Sequence, residues 1–345
     1  QWQSATTGAF ANITGATALS YTTPNLTALT RYRVLVNNGA CSTFSDTAIV
    51  SVDSVSVGGT IAGSANACTG TNSTVLTLSG QRGSVVKWQY STSSTFATVT
   101  DTAVTATSLT AVNLTATTYY RAVVKNGVCT TANSSTGTVT VFTPPVGGSV
   151  SGSSTICSGS VPASLTLGGG YTGTIQKWQS STDSLFSSPI DIANTASSTT
   201  YAPPALTQTT WYRAVLITGG GVCVSYSTAA KVTVDPTTVA GAVSGPVGVC
   251  NGNQITLTLS GHTGSVVRWE YSANNAFPGG SNTITINNTT NTYTFTPTTN
   301  LLFYRAQVKS GLCTQLASGF FQVVINTSVA GGTISGARDV CTGTN

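Results

Sequence analysis

The segments SVVKWQYS (84–91) and TTYYRAVVKNG (117–127) decide the fold of this chain, because both alternate with a period of two. The first places Trp88 on one face of a strand together with Val86, and the second does the same with Tyr120 and its alternate neighbours. The final KNG is typical of a tight hairpin turn, since Asn and Gly accept a positive φ. Several such short strands, separated by Gly, Asn and Thr turns, predict an antiparallel β-sandwich.

The same features return along the chain with a common period, which predicts a tandem array. Tryptophans lie 86, 90 and 91 residues apart, and a tyrosine follows each of them by 30 to 35 residues. These residues are Trp2, Trp88, Trp178 and Trp269, with Tyr32, Tyr120, Tyr212 and Tyr304. A Trp on the third strand and a Tyr that opens the sixth are typical of immunoglobulin-like sandwiches. The predicted fold class is therefore all-β, a tandem array of immunoglobulin-like antiparallel β-sandwich repeats of about 90 residues.

The spacings also set the boundaries of the repeats. Three repeats are complete, at residues 58–142, 147–235 and 240–326. Residues 1–52 hold the C-terminal part of a truncated repeat, and residues 331–345 hold the first strand of a further one. We therefore expect the chain to be a window from a longer polypeptide, with any export signal or anchor outside it. The linkers contain Pro and Gly and are about five residues long, so they leave neighbouring repeats little freedom.

The composition narrows the function classes. Only 6% of the 345 residues are charged, against about 25% in typical globular proteins. Glu, Lys, Gln and Arg, which normally build helix surfaces, are scarce, so a helical bundle or an α/β enzyme is disfavoured. The net charge of +5 comes without basic runs, which argues against nucleic acid as a partner. No apolar stretch approaches the roughly 18 residues that a transmembrane helix needs.

Eight cysteines recur at two places in each repeat and predict a disulfide framework in an oxidising compartment. Pairing within repeats would join Cys68 to Cys129, Cys157 to Cys223 and Cys250 to Cys313. Pairing across junctions would join Cys68 to Cys223 and Cys157 to Cys313, and would leave Cys41, Cys129, Cys250 and Cys341 to partners outside the window. Both pairings stay open. The second is favoured because the two cysteine-bearing turns of a sandwich lie about 26 Å apart, whereas bonded Cα atoms lie within about 7 Å.

The sequence predicts no catalytic residue, no metal site and no cofactor. Glu270 is the single Glu and His262 the single His, and the other repeats carry Gln or Tyr in their places. Catalysis needs titratable groups brought together, and a metal site needs thiolates and imidazoles at short spacing. Because neither pattern is found, we expect the chain not to be an enzyme.

Basic residues flank the two aromatic positions of each repeat and predict a cationic stripe on one sheet. They precede the Trp or follow the Tyr on adjacent strands, and they comprise Lys87, Arg121, Lys177, Arg213, Arg268 and Arg305. One interpretation is a solvated face that discourages aggregation. The other is a stripe that meets acidic polysaccharide weakly at many places, so that multivalency supplies the avidity.

Three motifs resemble, in content and order, the repeats of the giant gliding-motility adhesins of Bacteroidota. They are GGTISG…CTGTN, TLSG…GSVVKWQYSTSSTF and LTATTYYRAVVKNGVCTTANS. The resemblance covers essentially the whole chain, and related immunoglobulin-like or PKD-like repeats occur in other large surface proteins of that phylum. It implies a substrate of the type IX secretion system that forms filaments at the cell surface.

The resemblance also gives meaning to a short Asp motif. Proteins of that phylum carry O-glycans at Asp-Ser/Thr followed by a small or aliphatic residue, and four of the seven Asp residues here begin such a motif. Glycans are accordingly predicted on Thr47, Ser54, Thr102 and Ser184. Chance occurrence in a Thr-rich chain is the alternative explanation.

We therefore expect a structural or adhesive segment of a long cell-surface filament, a stiff stalk that transmits force in surface adhesion or gliding motility. Two alternatives stay open: the carbohydrate-binding repeat array of a surface polysaccharide-capture protein, and a self-assembling surface fibre or layer. The expected partners are extracellular surfaces or polysaccharides met through weak multivalent contacts, neighbouring repeats of the same chain, and like filaments.

Overall fold

The computed structural model of the chain describes residues 1–327, 329–336 and 342–343. It is all-β, with mostly antiparallel sheets that repeat along the sequence, and it confirms the predicted fold class. The chain forms two compact units, one of residues 1–144 with 218–223 and one of residues 145–217 with 224–345. The tip of one hairpin of the third repeat thus belongs to the first unit.

The first, incomplete repeat forms one sheet around a central strand. Its strands are β1 (Trp2–Ala5), β2 (Ala11–Asn12), β3 (Thr30–Asn38), β4 (Cys41–Phe44) and β5 (Ala48–Val50). Strand β3 pairs with β1, β4 and β5, all antiparallel. The β3–β4 hairpin turns at Gly39, whose positive φ of 62° suits the tight turn, and it carries Cys41 at the start of β4.

The second repeat is a complete sandwich. Its strands are β6 (Thr60–Ala62), β7 (Ala65–Cys68), β8 (Ser73–Ser79), β9 (Ser84–Ser91), β10 (Thr100–Thr102), β11 (Ser108–Val112), β12 (Thr118–Lys125), β13 (Ala132–Asn133) and β14 (Gly137–Phe142). One sheet has the order β10-β9-β12-β14-β7 with β13 beside β12, and the other has the order β11-β8-β6. The edge strand β7 runs parallel to β14, and the other neighbours are antiparallel.

The third repeat has the same plan. Its strands are β15 (Ser149–Ser151), β16 (Ser154–Cys157), β17 (Leu165–Gly168), β18 (Thr174–Ser181), β19 (Ile190–Ile192), β20 (Thr200–Tyr201), β21 (Thr210–Thr218), β22 (Cys223–Tyr226) and β23 (Ala230–Asp235), with a 3-10 turn at Gly219–Gly221. The larger sheet has the order β16-β23-β21-β18-β19 with β22 beside β21, and the smaller has the order β15-β17-β20. Strand β16 is again a parallel edge strand.

The fourth repeat divides its parallel edge from the larger sheet. Its strands are β24 (Ala242–Ser244), β25 (Val249–Cys250), β26 (Ile255–Ser260), β27 (Ser265–Ser272), β28 (Ile284–Ile286), β29 (Thr292–Phe295), β30 (Leu302–Lys309), β31 (Leu316–Ala317), β32 (Phe321–Val323) and β33 (Ile325–Asn326), with a 3-10 turn at Gly280–Asn282. The larger sheet has the order β28-β27-β30-β31 with β32 beside β30, the smaller has the order β24-β26-β29, and β25 pairs with β33.

A tryptophan fills the centre of each complete repeat. Trp88, Trp178 and Trp269 are fully buried, and the leucines of the facing strand, such as Leu76 and Leu78, pack in the same core. Each indole N–H donates to a backbone carbonyl, those of Ala106, Ser198 and Thr290, at 2.9, 2.9 and 3.0 Å. Because this donor is satisfied, the side chain contributes its large apolar area without an unpaired polar group.

A β-bulge in the strand that carries the tryptophan changes which residues face inward. The register between β9 and β12 skips Val86, so that Val85 is buried and Val86 is exposed. The prediction that Val86 shares the face of Trp88 is therefore wrong. The same shift passes over Gln176 and Val267 in the next two repeats. Because of the bulge, Val85 in the first half of the strand and Trp88 in the second half both face the core, although they are three positions apart.

The predicted first strand of a further repeat, at residues 331–345, falls partly outside the described residues. The described part of this stretch, residues 331–336 and 342–343, contains no strand. Cys341 is not among the described residues.

Candidate functional site

The most distinctive chemistry of the chain lies where one repeat is joined to the next. Cys68 at the end of β7 is bonded to Cys223 at the start of β22, with Cα atoms 5.3 Å apart. Cys157 at the end of β16 is bonded to Cys313 beyond β30, with Cα atoms 4.8 Å apart. Each of these two disulfides, here called staples, links one repeat covalently to a hairpin of the following repeat. They are the pairs of the junction-spanning alternative.

The parallel edge strand explains where the first cysteine of each staple lies. Because β7 runs parallel to β14, Cys68 lies opposite Phe142, the last residue of the final strand of its repeat. In the same way Cys157 lies opposite Asp235. The cysteine is thus held at the end of the sandwich where the chain leaves for the next repeat.

The within-repeat pairing is not the one that the structure contains. Along β12, Thr118 lies beside Val139, near the Cys68 end, whereas Lys125 and the turn with Cys129 lie at the opposite end. The length of the strand, about 26 Å for eight residues, separates the two thiols. The bonds Cys68–Cys129, Cys157–Cys223 and Cys250–Cys313 are therefore not formed, and Cys41, Cys129 and Cys250 are free thiols among the described residues.

A carboxylate adds to the staple at the junction of the third and fourth repeats. Asp235, the last residue of β23, accepts a hydrogen bond of 3.0 Å from the backbone N–H of Leu312. The backbone N–H of Ser310 donates to the Thr238 hydroxyl at 3.0 Å. This arrangement, here called the junction cap, satisfies two donors of the β30 hairpin turn with side chains from the end of the preceding repeat and from the linker after it.

The junction of the first and second repeats has the same cap. Asp53 accepts from the backbone N–H of Val128 at 3.0 Å, and the N–H of Asn126 donates to the Ser56 hydroxyl at 2.9 Å. The Cys129 sulfur lies 3.5 and 3.4 Å from the carbonyl oxygens of Asp53 and Ser54. Cys129 thus has the same kind of surroundings as the staple cysteine Cys313, which lies 3.3 Å from the carbonyl oxygen of Pro236.

Each junction cap depends on one glycine. Gly127 and Gly311 have positive φ values of 50° and 46°, and a Cβ built on either would collide with the carboxylate of Asp53 or Asp235. Glycine is therefore favoured for two reasons: it accepts the backbone conformation, and any larger residue would displace the carboxylate from the cap. The NG and SG dipeptides in the sequence predict the turn, but they do not reveal the cap.

The basic residues of the predicted stripe lie on one sheet face, where ion pairs and hydrogen bonds join them into a network in each complete repeat. In the second repeat Lys87 contacts Asp101 at 2.6 Å. Gln89 connects this aspartate to Arg121, because its amide donates to Asp101 at 2.8 Å and accepts from Arg121 at 2.8 Å. The third repeat repeats this network with Lys177, Asp191, Gln179 and Arg213. Hydrogen bonds from the lysine and the glutamine hold the pKa of Asp101 and of Asp191 below its ordinary value.

The fourth repeat places its carboxylate at a different position in the same network. Glu270 is 3% exposed and contacts Arg268 at 2.7 Å and Arg305 at 2.9 Å, and it accepts from the Gln307 amide at 2.9 Å. Its partner on the edge strand is Thr285, where the second and third repeats have the aspartate. Burial alone would raise the pKa of Glu270, but the three hydrogen bonds outweigh burial and lower it.

In each complete repeat a phenylalanine lies beneath the guanidinium of the arginine that follows the repeated tyrosine, namely Arg121, Arg213 or Arg305. The Cζ atoms of Arg121, Arg213 and Arg305 lie 4.3, 4.1 and 4.0 Å from the ring centroids of Phe96, Phe186 and Phe277. These phenylalanines have positive φ values of 53°, 54° and 46°, and they pack on this outer face and not in the sandwich core. The arrangement is a cation–π contact at a strained turn. The network of each complete repeat thus contains two cationic side chains and one carboxylate.

The glycosylation candidates lie on the surface to different degrees. Thr47, Ser54 and Ser184 are exposed, and Thr102 is half-buried. The carboxylate of Asp183 is occupied within its own turn, where it accepts from the Ser181 hydroxyl and from the backbone N–H of Leu185. Asp53 is occupied in the junction cap. These aspartates have clear structural roles, whether or not the neighbouring hydroxyl is modified.

Titratable groups are not gathered into a reaction centre in the part of the chain that the structure describes. His262 lies in the turn between β26 and β27, and Glu270 is held in the charge network on the sheet face. Within the described residues no group of three His, Cys, Asp or Glu side chains is placed to hold a metal ion. Over the same residues no helix is long and apolar enough to cross a membrane.

Comparison with known proteins places the chain in a family and identifies remote structural neighbours. A family model described as a domain of unknown function (DUF8696) matches residues 1–54, 57–143, 146–236 and 239–327. No curated protein sequence matches the chain.

Solved structures align with the chain only remotely. A Ca2+-stabilized adhesin that helps an Antarctic bacterium bind ice is 14% identical, with 87% of this chain and 82% of that chain covered and a TM-score of 0.33. The FN1-FN3 domains of chicken CNTN1 are 12% identical, with 79% and 99% covered and a TM-score of 0.24. Domains A168-A170 of titin are 11% identical, with 78% and 98% covered and a TM-score of 0.31. Likeness at this level carries no information about function.

Proposed function

We propose that this chain, which belongs to the DUF8696 family through four successive copies, is a stapled, load-bearing segment of a cell-surface adhesive filament. The observation that carries the proposal is the pair of staples, because each one ties a repeat covalently to a hairpin of the next. A load on the chain would meet a disulfide at these junctions in addition to a short linker and the hydrogen bonds of the repeat ends.

The location outside the cell is part of the proposal. Disulfides persist in oxidising environments and are rare in the cytosol, so two of them across repeat junctions favour an extracellular or surface-exposed chain. A filament of gliding motility, exported by the type IX secretion system of a member of the Bacteroidota, is the finer assignment. It is supported by the resemblance of the repeat motifs.

The expected partners follow from the same proposal. They are extracellular surfaces or polysaccharides met through many weak contacts, the neighbouring repeats of the chain, and like filaments. The excess of one cation in the charge network of each complete repeat supports weak attraction to acidic polysaccharide, with avidity supplied by repetition.

The staples make a quantitative prediction for single-molecule stretching of the chain held at its two ends. Reduced and fully unfolded, the chain between Cys68 and Cys313 is 245 residues long, but with both staples closed the shortest covalent route is the 66 residues between Cys157 and Cys223. At about 3.4 Å per residue, the oxidised chain should therefore extend about 600 Å less than the reduced chain.

The controls for this experiment are cysteine variants. Replacing Cys68 and Cys223 together by Ser should release part of the hidden length without a reductant, whereas Cys250→Ser should leave the extension unchanged because Cys250 is a free thiol. Equal extension of the oxidised and reduced chains would contradict the load-bearing role of the staples.

Modification by glycans is a separate part of the proposal. Thr47, Ser54, Thr102 and Ser184 are the positions, and the support is the Asp motif that precedes each of them. Intact-mass and glycopeptide analysis of the protein from its native source tests it, and bare residues at all four positions would remove it.

A further inference from the structure

The fourth repeat has an open cleft at the end of its sandwich, and the cleft carries no charge. It has a volume of about 440 Å³ and is bordered by Tyr271, Ser272, Asn274, Ser281, Asn282 and Leu302, among others. Tyr271 and Leu302 also border a second hollow of about 210 Å³, whose rim is formed by Thr296, Thr298 and Thr299. The two hollows share Tyr271 and Leu302 in their linings and are together called the trough here; hydroxyl and amide side chains border the first hollow, and hydroxyl side chains border the second.

An insertion in the loop that crosses this end of the repeat helps to build the cleft. Fifteen residues separate Glu270 from its partner Thr285, whereas twelve separate Gln179 from its partner Asp191 in the third repeat. The longer loop contains Pro-Gly-Gly-Ser-Asn, with positive φ values at Gly279 and Gly280. The third repeat has a cleft of about 250 Å³ at the same place, where Ser180 stands in the position of Tyr271.

The ring of Tyr271 is held by other aromatic rings. It stacks on Tyr304 with centroids 5.6 Å apart, and Tyr304 lies 4.7 Å from Phe295. This packing fixes the orientation of the Tyr271 ring before a ligand arrives, so binding costs little side-chain entropy at this residue. By contrast, the Ser281 and Asn282 side chains make no hydrogen bond to the described residues and are free to bind a ligand.

We propose that this trough binds a short stretch of a neutral polysaccharide. A sugar ring has an apolar C–H face and a rim of hydroxyls, which match a fixed aromatic ring flanked by amides and hydroxyls. No charged side chain borders either hollow, so an acidic sugar would find no counter-ion there. The proposal is independent of the load-bearing role, because the staples form whether or not the trough is occupied.

The test uses the whole 345-residue chain on an array of short neutral gluco-, manno-, galacto- and xylo-oligosaccharides, with uronic acid oligomers on the same array. The variant Tyr271→Ser introduces the residue that the third repeat has at this position. Deletion of residues 279–281 restores the loop length of the second and third repeats and leaves the tyrosine in place, so the loop and the ring are tested separately. Tyr90→Ser, at the same position of the second repeat, is the matched control.

The expected result is binding of at least one neutral series, weakened about tenfold or more by Tyr271→Ser and by the deletion but not by Tyr90→Ser. Absence of binding to every neutral series, or neutral binding that both variants leave unchanged, would overturn the proposal. So would a loss of uronic acid binding on Tyr271→Ser that exceeds the loss of neutral binding, because it would mean that the trough prefers the acidic sugar over the neutral one. None of these outcomes would alter the stretching behaviour set by the staples, so the two proposals fail separately.

Discussion

At position 270 the fourth repeat carries a glutamate where the other repeats carry a glutamine, and the edge strand carries Thr285 where two of them carry an aspartate. The negative charge has moved by one strand, from the edge strand to β27, where it contacts both Arg268 and Arg305. The aspartates of the second and third repeats each contact only the lysine among the two cations of their network. Since hydrogen bonds from Gln307, Arg305 and Arg268 outweigh the desolvation of Glu270, its pKa lies below its ordinary value of 4.5. The carboxylate is therefore ionised at neutral pH and accepts hydrogen bonds from all three of these side chains.

The variant Glu270→Gln should destabilise the fourth repeat at pH 7 by about 1–2 kcal/mol, because it leaves Arg268 and Arg305 without their carboxylate. A group with a lowered folded-state pKa stabilises above its unfolded-state pKa and loses this effect as the pH falls through the folded-state value. The difference from the wild type should accordingly shrink below about pH 4. Hydrogen exchange of β27 and β30, compared between the variant and the wild type at pH 7 and below about pH 4, measures this difference in stability.

Adding Thr285→Asp to Glu270→Gln restores the arrangement of the second and third repeats and should recover most of the lost protection. If Glu270→Gln exchanged like the wild type at pH 7, the carboxylate would have no role in holding the two arginines. If the double variant were no better than the single one, the equivalence of the two networks would be wrong.

At the scale of elements, the strands were predictable and their local irregularities were not. The period-two pattern and the repeated Trp and Tyr suffice to predict the sandwich, since burial of alternate residues is encoded in each strand. The bulge at Val86 cannot be predicted from this pattern, because Val85 and Val86 are both apolar and only the pairing with the neighbouring strand shows which of them faces the core. The role of Phe96 was also hidden, since its outward position depends on a positive φ that sequence alone does not suggest for phenylalanine.

The β30 hairpin turn offers a test of the junction cap with a built-in control. Gly311→Ala should cost about 1 kcal/mol for the positive φ and about 1–2 kcal/mol more because the new methyl group displaces the Asp235 carboxylate. Gly261→Ala has a similar φ of 68° but meets open space, so it should cost only the first part. Hydrogen exchange at residues 309–313 should rise for Gly311→Ala, and equal effects of the two substitutions would mean that the cap adds nothing.

On the scale of the whole molecule, the cysteine pairing shows what strand order can contribute before a structure is known. That the two cysteine-bearing turns lie at opposite ends of a repeat follows from an immunoglobulin-like order of strands, and it already favours bonds between repeats over bonds within them. The carboxylate caps at Asp53 and Asp235 could not be anticipated, because they depend on how one repeat ends against the turn of the next. The trough of the fourth repeat was hidden for a similar reason, since it requires a loop and two strands to be placed together.

If each staple joins two repeats, its removal should lower the stability of the repeats that it links and leave the others unchanged. Replacing Cys157 and Cys313 together by Ser should destabilise the third and fourth repeats by about 2–4 kcal/mol, since the open chain gains conformational entropy when unfolded. Calorimetry without reductant should show a transition moved to lower temperature, and the difference from the wild type should disappear when both proteins are reduced. Cys250→Ser, which removes a free thiol, should melt like the wild type. A double variant that melts like the oxidised wild type would show that the repeats hold together through their caps and linkers alone.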